Sequence, residues 1–143
     1  FEREPDRAMA TMSIHPDYGT DIIASGILDF GEGSATFTCS TQMSAYQRVN
    51  ILGTEGQIEI EIPVNAPANE TTTMWLASGD ERIEETIAAC DQYTLQGDAM
   101  SQAILNNSDL PVTLDDAVAN MRVIESMMAS HRQAGWVSIE SNI

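Results

Sequence analysis

The sequence predicts an α+β domain, an open-faced, predominantly antiparallel β-sheet with two main helices packed on one face. Four extended runs follow one another between Asp21 and Pro63, separated by Gly31-Glu32-Gly33, a short polar loop and Gly53-Thr54-Glu55-Gly56. That is the punctuation of an antiparallel meander. In the last of these runs Ile58, Ile60 and Ile62 alternate with Gln57, Glu59 and Glu61, which gives a strand one dry and one wet face. From Asp91 onward the apolar spacing lengthens to three and four residues, the period of a helix.

Taken in order, Arg7 to Ile14 alternates as a first strand, and His15-Pro16-Asp17-Tyr18-Gly19 breaks it with a turn. Asp21 to Phe30 is the second strand, and Gly31-Glu32-Gly33 its hairpin connection. The third places Ala35, Phe37 and Cys39 on one side and Thr36, Thr38 and Ser40 on the other. Threonine favours strands, so this second face can also be covered. Gln42 to Ala45 is a loop before the run Tyr46 to Leu52, and Gly53 to Gly56 returns the chain into the isoleucine strand. Two prolines make Pro63 to Asn69 a loop or a protected edge. Thr72 to Ala77 and Arg82 to Ala89 read as two further strands around Ser78-Gly79-Asp80.

A first helix then carries Tyr93, Met100, Ala103 and Ile104 and stops at Asn106-Asn107. Thr113-Leu114-Asp115-Asp116 opens the second, with a hydroxyl cap and carboxylates at the positive end of the dipole. Ala117, Met121, Ile124 and Met128 form its apolar face, and Gly135 is placed as its terminating glycine. Trp136 to Ile139 is a short last strand.

With 143 residues, 43% of them apolar, the chain fills one domain, 1–143, with a proper core. Its net charge of −16 speaks against nucleic acid and against an anionic membrane surface, both of which repel such a body. No stretch approaches the roughly 18 apolar residues of a spanning helix. Cys39 and Cys90 read as small buried hydrophobes in a reducing, cytoplasmic setting. The chain opens on Phe1-Glu2 without a methionine, and it is expected to be a piece of a longer protein.

Few residues suggest chemistry by themselves. His131 lies with Arg132 near a helix end, where the dipole favours a cation. His15 and Asp17 share a turn without a further histidine or cysteine to complete a metal set. Asp80, Glu81, Glu84 and Glu85 fit a solvated strand and turn. Gly31 and Gly33 begin a Gly-x-Gly pattern, but Thr36 occupies the third glycine position, so no dinucleotide fingerprint follows. No catalytic, cofactor-binding or metal-ligating residue is therefore assigned. The one concentrated polar group is Gln42, Tyr46, Gln47, Arg48 and Asn50 at one end of the sheet.

The run from Asp21 to Gly56, with Asp29-Phe30-Gly31-Glu32-Gly33 and Val49-Asn50-Ile51-Leu52-Gly53-Thr54-Glu55-Gly56-Gln57-Ile58, resembles the C-terminal domain of the Gfo/Idh/MocA oxidoreductases. The tail agrees: Ala103-Ile104, Leu110-Pro111, Asp116-Ala117, Val123-Ile124-Glu125 and Ser130-His131-Arg132-Gln133-Ala134-Gly135-Trp136-Val137. The resemblance implies a separate N-terminal Rossmann domain that binds NAD or NADP, and hydride transfer to or from a sugar, inositol or related polyol. It also implies that the Glu-Lys-Pro lysine and the Asp-x-x-x-His pair of such enzymes lie before Phe1, since neither motif occurs here. Alone, this chain is expected to bind no cofactor and turn over no substrate.

Two roles come with the resemblance. Tyr46, Gln47 and Arg48 stand where related inositol dehydrogenases bring a tyrosine to the substrate, with Ala45 in place of the glycine that precedes it there. The sheet face that the helices leave open is expected to build a homo-oligomer, with Thr36, Thr38 and Ser40 beside Val49 and Ile51. The competing reading is a stand-alone, non-catalytic binding or dimerisation module.

Overall fold

A computed structural model describes residues 3–139; Phe1 and Glu2, on which the expectation about the chain's start rests, lie outside them. The elements in chain order are β1 (Arg7–Ile14), β2 (Asp21–Asp29), β3 (Ser34–Ser40), β4 (Val49–Leu52), β5 (Gln57–Ile60), β6 (Thr72–Ser78), β7 (Glu81–Ile87), α1 (Gln92–Asn106), α2 (Leu114–Gln133) and β8 (Val137–Ser138). The class is the expected one, α+β with antiparallel strand pairing and two main helices. The chain forms two compact units. Unit 1 takes in the chain up to Ser44 and from Val112 onward; unit 2 is Ala45–Pro111.

Unit 1 holds a four-stranded sheet in the order β3-β2-β1-β8, with α2 packed on β1. Small residues let the helix come close. Ala8 and Ala24 are buried, and Gly26 pairs with Ala10 on one side and Phe37 on the other. A methyl group on Gly26 would stand 2.8 Å from the tip of the Phe37 ring and 3.3 Å from the Met127 terminal methyl. Met127 is itself buried on α2. The bare glycine is therefore what allows ring and helix to close over β2.

The free edge of β1 is completed by side chains. β8 pairs only with Arg7 and Ala8. Beyond that point the Ala10 N–H donates to Ser130 Oγ at 2.9 Å and the Met12 N–H to His131 Nδ1 at 3.2 Å. The Ser130 hydroxyl in turn donates to the Gly135 carbonyl at 2.6 Å. Two adjacent residues of α2 thus continue a ladder that β8 leaves short, satisfying donors that would otherwise form an open edge. His131, placed by the sequence near the helix end, here accepts from a strand.

Thr113 caps α2 as expected, accepting the Asp116 N–H at 3.1 Å. The end of the helix differs from the expectation. The left-handed residue is Ala134 (φ 53°), one position before Gly135. The Ser130 link to Gly135 and the Gly135 N–H bond to the Ser130 carbonyl fix the turn there, so that Val137 arrives opposite Ala8.

Unit 2 holds the second four-stranded sheet, in the order β4-β5-β6-β7, together with α1. Its register sets Asn50, Glu59, Trp75 and Glu84 side by side on one face, and Ile51, Ile58, Leu76 and Ile83 side by side on the other. Gly56 is required by packing, since a Cβ there would lie 2.5 Å from the Ala77 carbonyl oxygen. Asp91 caps α1 by accepting from the Tyr93 and Thr94 N–H groups, and Asn107 ends it in the left-handed region.

Three expectations need correction. The four runs between Asp21 and Pro63 are not one continuous meander; β2 and β3 belong to one ladder, β4 and β5 to the other. The polar connection from Thr41 to Arg48 is too long for a tight hairpin. For the same reason Tyr46, Gln47 and Arg48 precede β4 instead of opening it. Cys39 and Cys90 are exposed free thiols, because β3 is an edge strand with one neighbour and Cys90 lies beyond the end of β7.

Candidate substrate-side site

The residues singled out from sequence, Tyr46, Gln47 and Arg48, fall together in unit 2, but in three different environments. Tyr46 is 78% exposed. The Gln47 Oε1 accepts two backbone N–H groups, from Val64 at 3.2 Å and Asn65 at 3.0 Å. The Arg48 side chain is 22% exposed, and its Nη1 lies 3.3 Å from Glu59 Oε1. That nitrogen is buried and makes no well-aligned hydrogen bond.

Arg48 belongs to a lattice on the polar face of the sheet. Its guanidinium carbon lies 5.4 Å from the centre of the Trp75 ring, and that of Arg82 lies at the same distance. Glu59 serves both arginines, with Arg82 Nη2 3.4 Å from its second oxygen. The Trp75 indole N–H donates to Glu84 at 3.0 Å. Cation–π attraction of about 0.5–2 kcal/mol per pair, added to a shared carboxylate, holds Arg48 in place. Two guanidinium and two carboxylate groups balance, so the lattice carries no net charge of its own.

Sequence reasoning did not single out Trp75, Glu59 or Arg82, and it assigned Glu84 to a solvated run. The signal lay in strand phase: Glu59 opposes Trp75, and Trp75 opposes Glu84, but only the register reveals that opposition. Gln42 does not join the group; it lies in unit 1, where its N–H donates to Ser40 Oγ at 3.0 Å.

Elsewhere, candidate chemistry is absorbed by structure. His15 Nδ1 accepts the Asp17 N–H at 3.2 Å, with the ring 4.6 Å from that of Tyr18. Asp29 is held below the usual carboxylate range by the Gly31 N–H and then by Arg7. Asp91 is lowered chiefly by the Thr94 hydroxyl and N–H. Both are turn or cap residues. Among the described residues no group of three His, Cys, Asp or Glu is arranged to hold a metal ion, and no helix is long and apolar enough to cross a membrane.

Residues 2–139 match the family model described as the oxidoreductase family, C-terminal alpha/beta domain. The chain belongs to that Gfo/Idh/MocA family. It is 31% identical over 145 residues to an uncharacterized oxidoreductase of Rhizobium meliloti, covering 97% of this chain and 43% of the relative. It is 25% identical over 143 residues to D-xylose 1-dehydrogenase (NADP(+)) 2 of Haloferax volcanii, covering 98% and 43%. The aldose-aldose oxidoreductase of Caulobacter crescentus, solved with glycerol, shares the fold with a TM-score of 0.79 and 22% identity, over 94% of this chain and 41% of that one. The chain thus spans less than half the length of the curated relatives it matches.

Proposed function

We propose that this chain is the substrate-side and assembly domain of an NAD(P)-dependent oxidoreductase acting on a sugar, inositol or related polyol. The observation that carries the reading is the family match over residues 2–139. The Haloferax relative, whose name gives both D-xylose and NADP(+), supports the substrate and cofactor classes. The cofactor would belong to an N-terminal Rossmann domain of the whole protein, with NAD and NADP both open. Hydride transfer would occur there, while this chain orients the substrate.

Tyr46 is the group free to meet that substrate, being exposed on a loop whose next two residues are anchored. The exposed apolar row Ile51, Leu76 and Ile83 supports the assembly role in unit 2. On the unit 1 face away from α2, Met9 and Ile27 stand exposed with Thr36 and Thr38, while Ser40 is engaged with Ile22 and the following turn. Val49 and Ile51 belong to the other ladder. The two exposed thiols fit the reducing cytoplasm.

The test is the mass and activity of the protein from its source. A species of twice the chain's length or more that reduces NAD(P) with an aldose or polyol is expected. A native product no longer than this chain would defeat the reading and leave a sheet-mediated binding module.

A further inference from the structure

We infer that Gln47 is a positioning residue: its carboxamide oxygen ties the loop that presents Tyr46 to the turn at Val64 and Asn65, leaving Tyr46 as the contact group. This rests on the substrate-side reading above and divides its three residues into one that touches and two that hold.

The geometry separates them. One acceptor atom takes the N–H groups of two consecutive residues, at 3.2 and 3.0 Å. An amide oxygen has two lone pairs, so this arrangement uses its full capacity. The turn it reaches follows Pro63, which has no N–H of its own to offer. On the other side of the loop, Arg48 is gripped by Glu59 and Trp75. Tyr46 therefore stands beside a base fixed at its next two residues, while it is itself 78% exposed. A contact group on such a base loses less freedom when it meets a ligand than one on an unanchored loop. Gln47 has no spare acceptor for a sugar hydroxyl, which distinguishes it from Tyr46.

The clamp is made by the carboxamide oxygen of Gln47 alone. Glutamate at this position retains the chain length and the acceptor, so Gln47→Glu is the conservative variant and Gln47→Ala the disruptive one. Both are to be made in the full-length protein, beside Tyr46→Phe. Amide exchange is followed at Val64 and Asn65, and steady-state kinetics are measured with D-xylose plus NADP+ and with myo-inositol plus NAD+. Gln47→Ala should accelerate exchange at both amides roughly tenfold and raise KM roughly five- to tenfold with kcat changed much less. Gln47→Glu should restore both to within about twofold of the parent.

Unchanged exchange at Val64 and Asn65 in Gln47→Ala overturns the inference, as does a Gln47→Glu variant that behaves like the alanine. The exchange readout decides the clamp even if neither probe is turned over. Accelerated exchange with Tyr46→Phe kinetics equal to the parent would uphold the clamp and defeat the substrate-contact reading instead.

Discussion

The two sheets are built by the same antiparallel pairing and used in opposite ways. In unit 1 the face toward α2 is lined by Ala8, Ala24 and Gly26, and the helix closes on it. In unit 2 one face carries a row of large aliphatic residues and the other the lattice of Arg48, Glu59, Trp75 and Arg82. Small side chains make a surface for a helix, because packing at interior density needs close backbone approach. Large aliphatics left exposed make the face on which the assembly proposal rests. A single strand-pairing rule therefore yields two kinds of face, and residue size decides which.

The sharpest way to break the contrast is at the glycines and clamps that each unit depends on. Gly56→Ala should cost most, about 3 kcal/mol by chemical denaturation, because the new methyl meets the Ala77 backbone carbonyl, which cannot rotate away. Unit 1 has its counterpart in Ser130, which is fully buried. Ser130→Ala strands the Ala10 N–H and the Gly135 carbonyl and should cost about 2 kcal/mol. The same variant should raise amide exchange at Ala10 more than at Ala8, whose strand neighbour is β8.

A smaller effect is expected where unit 2 relies on charge. Glu59→Gln removes the carboxylate shared by Arg48 and Arg82 and should cost about 1 kcal/mol, since Arg82 is well exposed. Added salt should shrink that difference while raising the melting temperature of both proteins, because it screens a net charge of −16. A difference that does not change with salt would show that the lattice is held by stacking on Trp75 instead.

The smallest effect is local and set by pH. The pKa of Asp91 is lowered in the fold from 3.8. Its contribution to stability is present above that unfolded value and is lost as pH falls through the lower folded value. Helix α1 should therefore fray at its first turn in strong acid. Asp91→Asn keeps a capping oxygen and should flatten that pH dependence, as read by amide exchange at Tyr93 and Thr94. Asp29 follows the same sign at the turn after β2.

Much of this fold was legible before any coordinates. Period-two alternation located β1, β3 and β5, the turn before Asp21 and the Gly31-Glu32-Gly33 break bounded β2, the change of spacing after Asp91 located both helices, and Thr113 and the acids after it marked the start of α2. These signals are local, since each arises from residues within a turn or a strand of one another. The resemblance carried by Asp29 to Gly33, Gly53 to Gly56 and the Ser130 to Val137 tail reached the family that the whole-chain match confirms.

What the tertiary structure decided was pairing. Nothing in the spacing of the four runs says that β3 and β4 part into separate ladders, or that Glu59, Trp75 and Glu84 stand in one row. The fate of Gln47 depended on a turn 17 residues further along the chain, and that of Ser130 and His131 on a strand some 120 residues earlier. Hydrogen bonds between residues so distant are chosen by where folding brings backbone donors. A one-dimensional pattern records which side chains can accept, and only the folded chain determines which donors reach them.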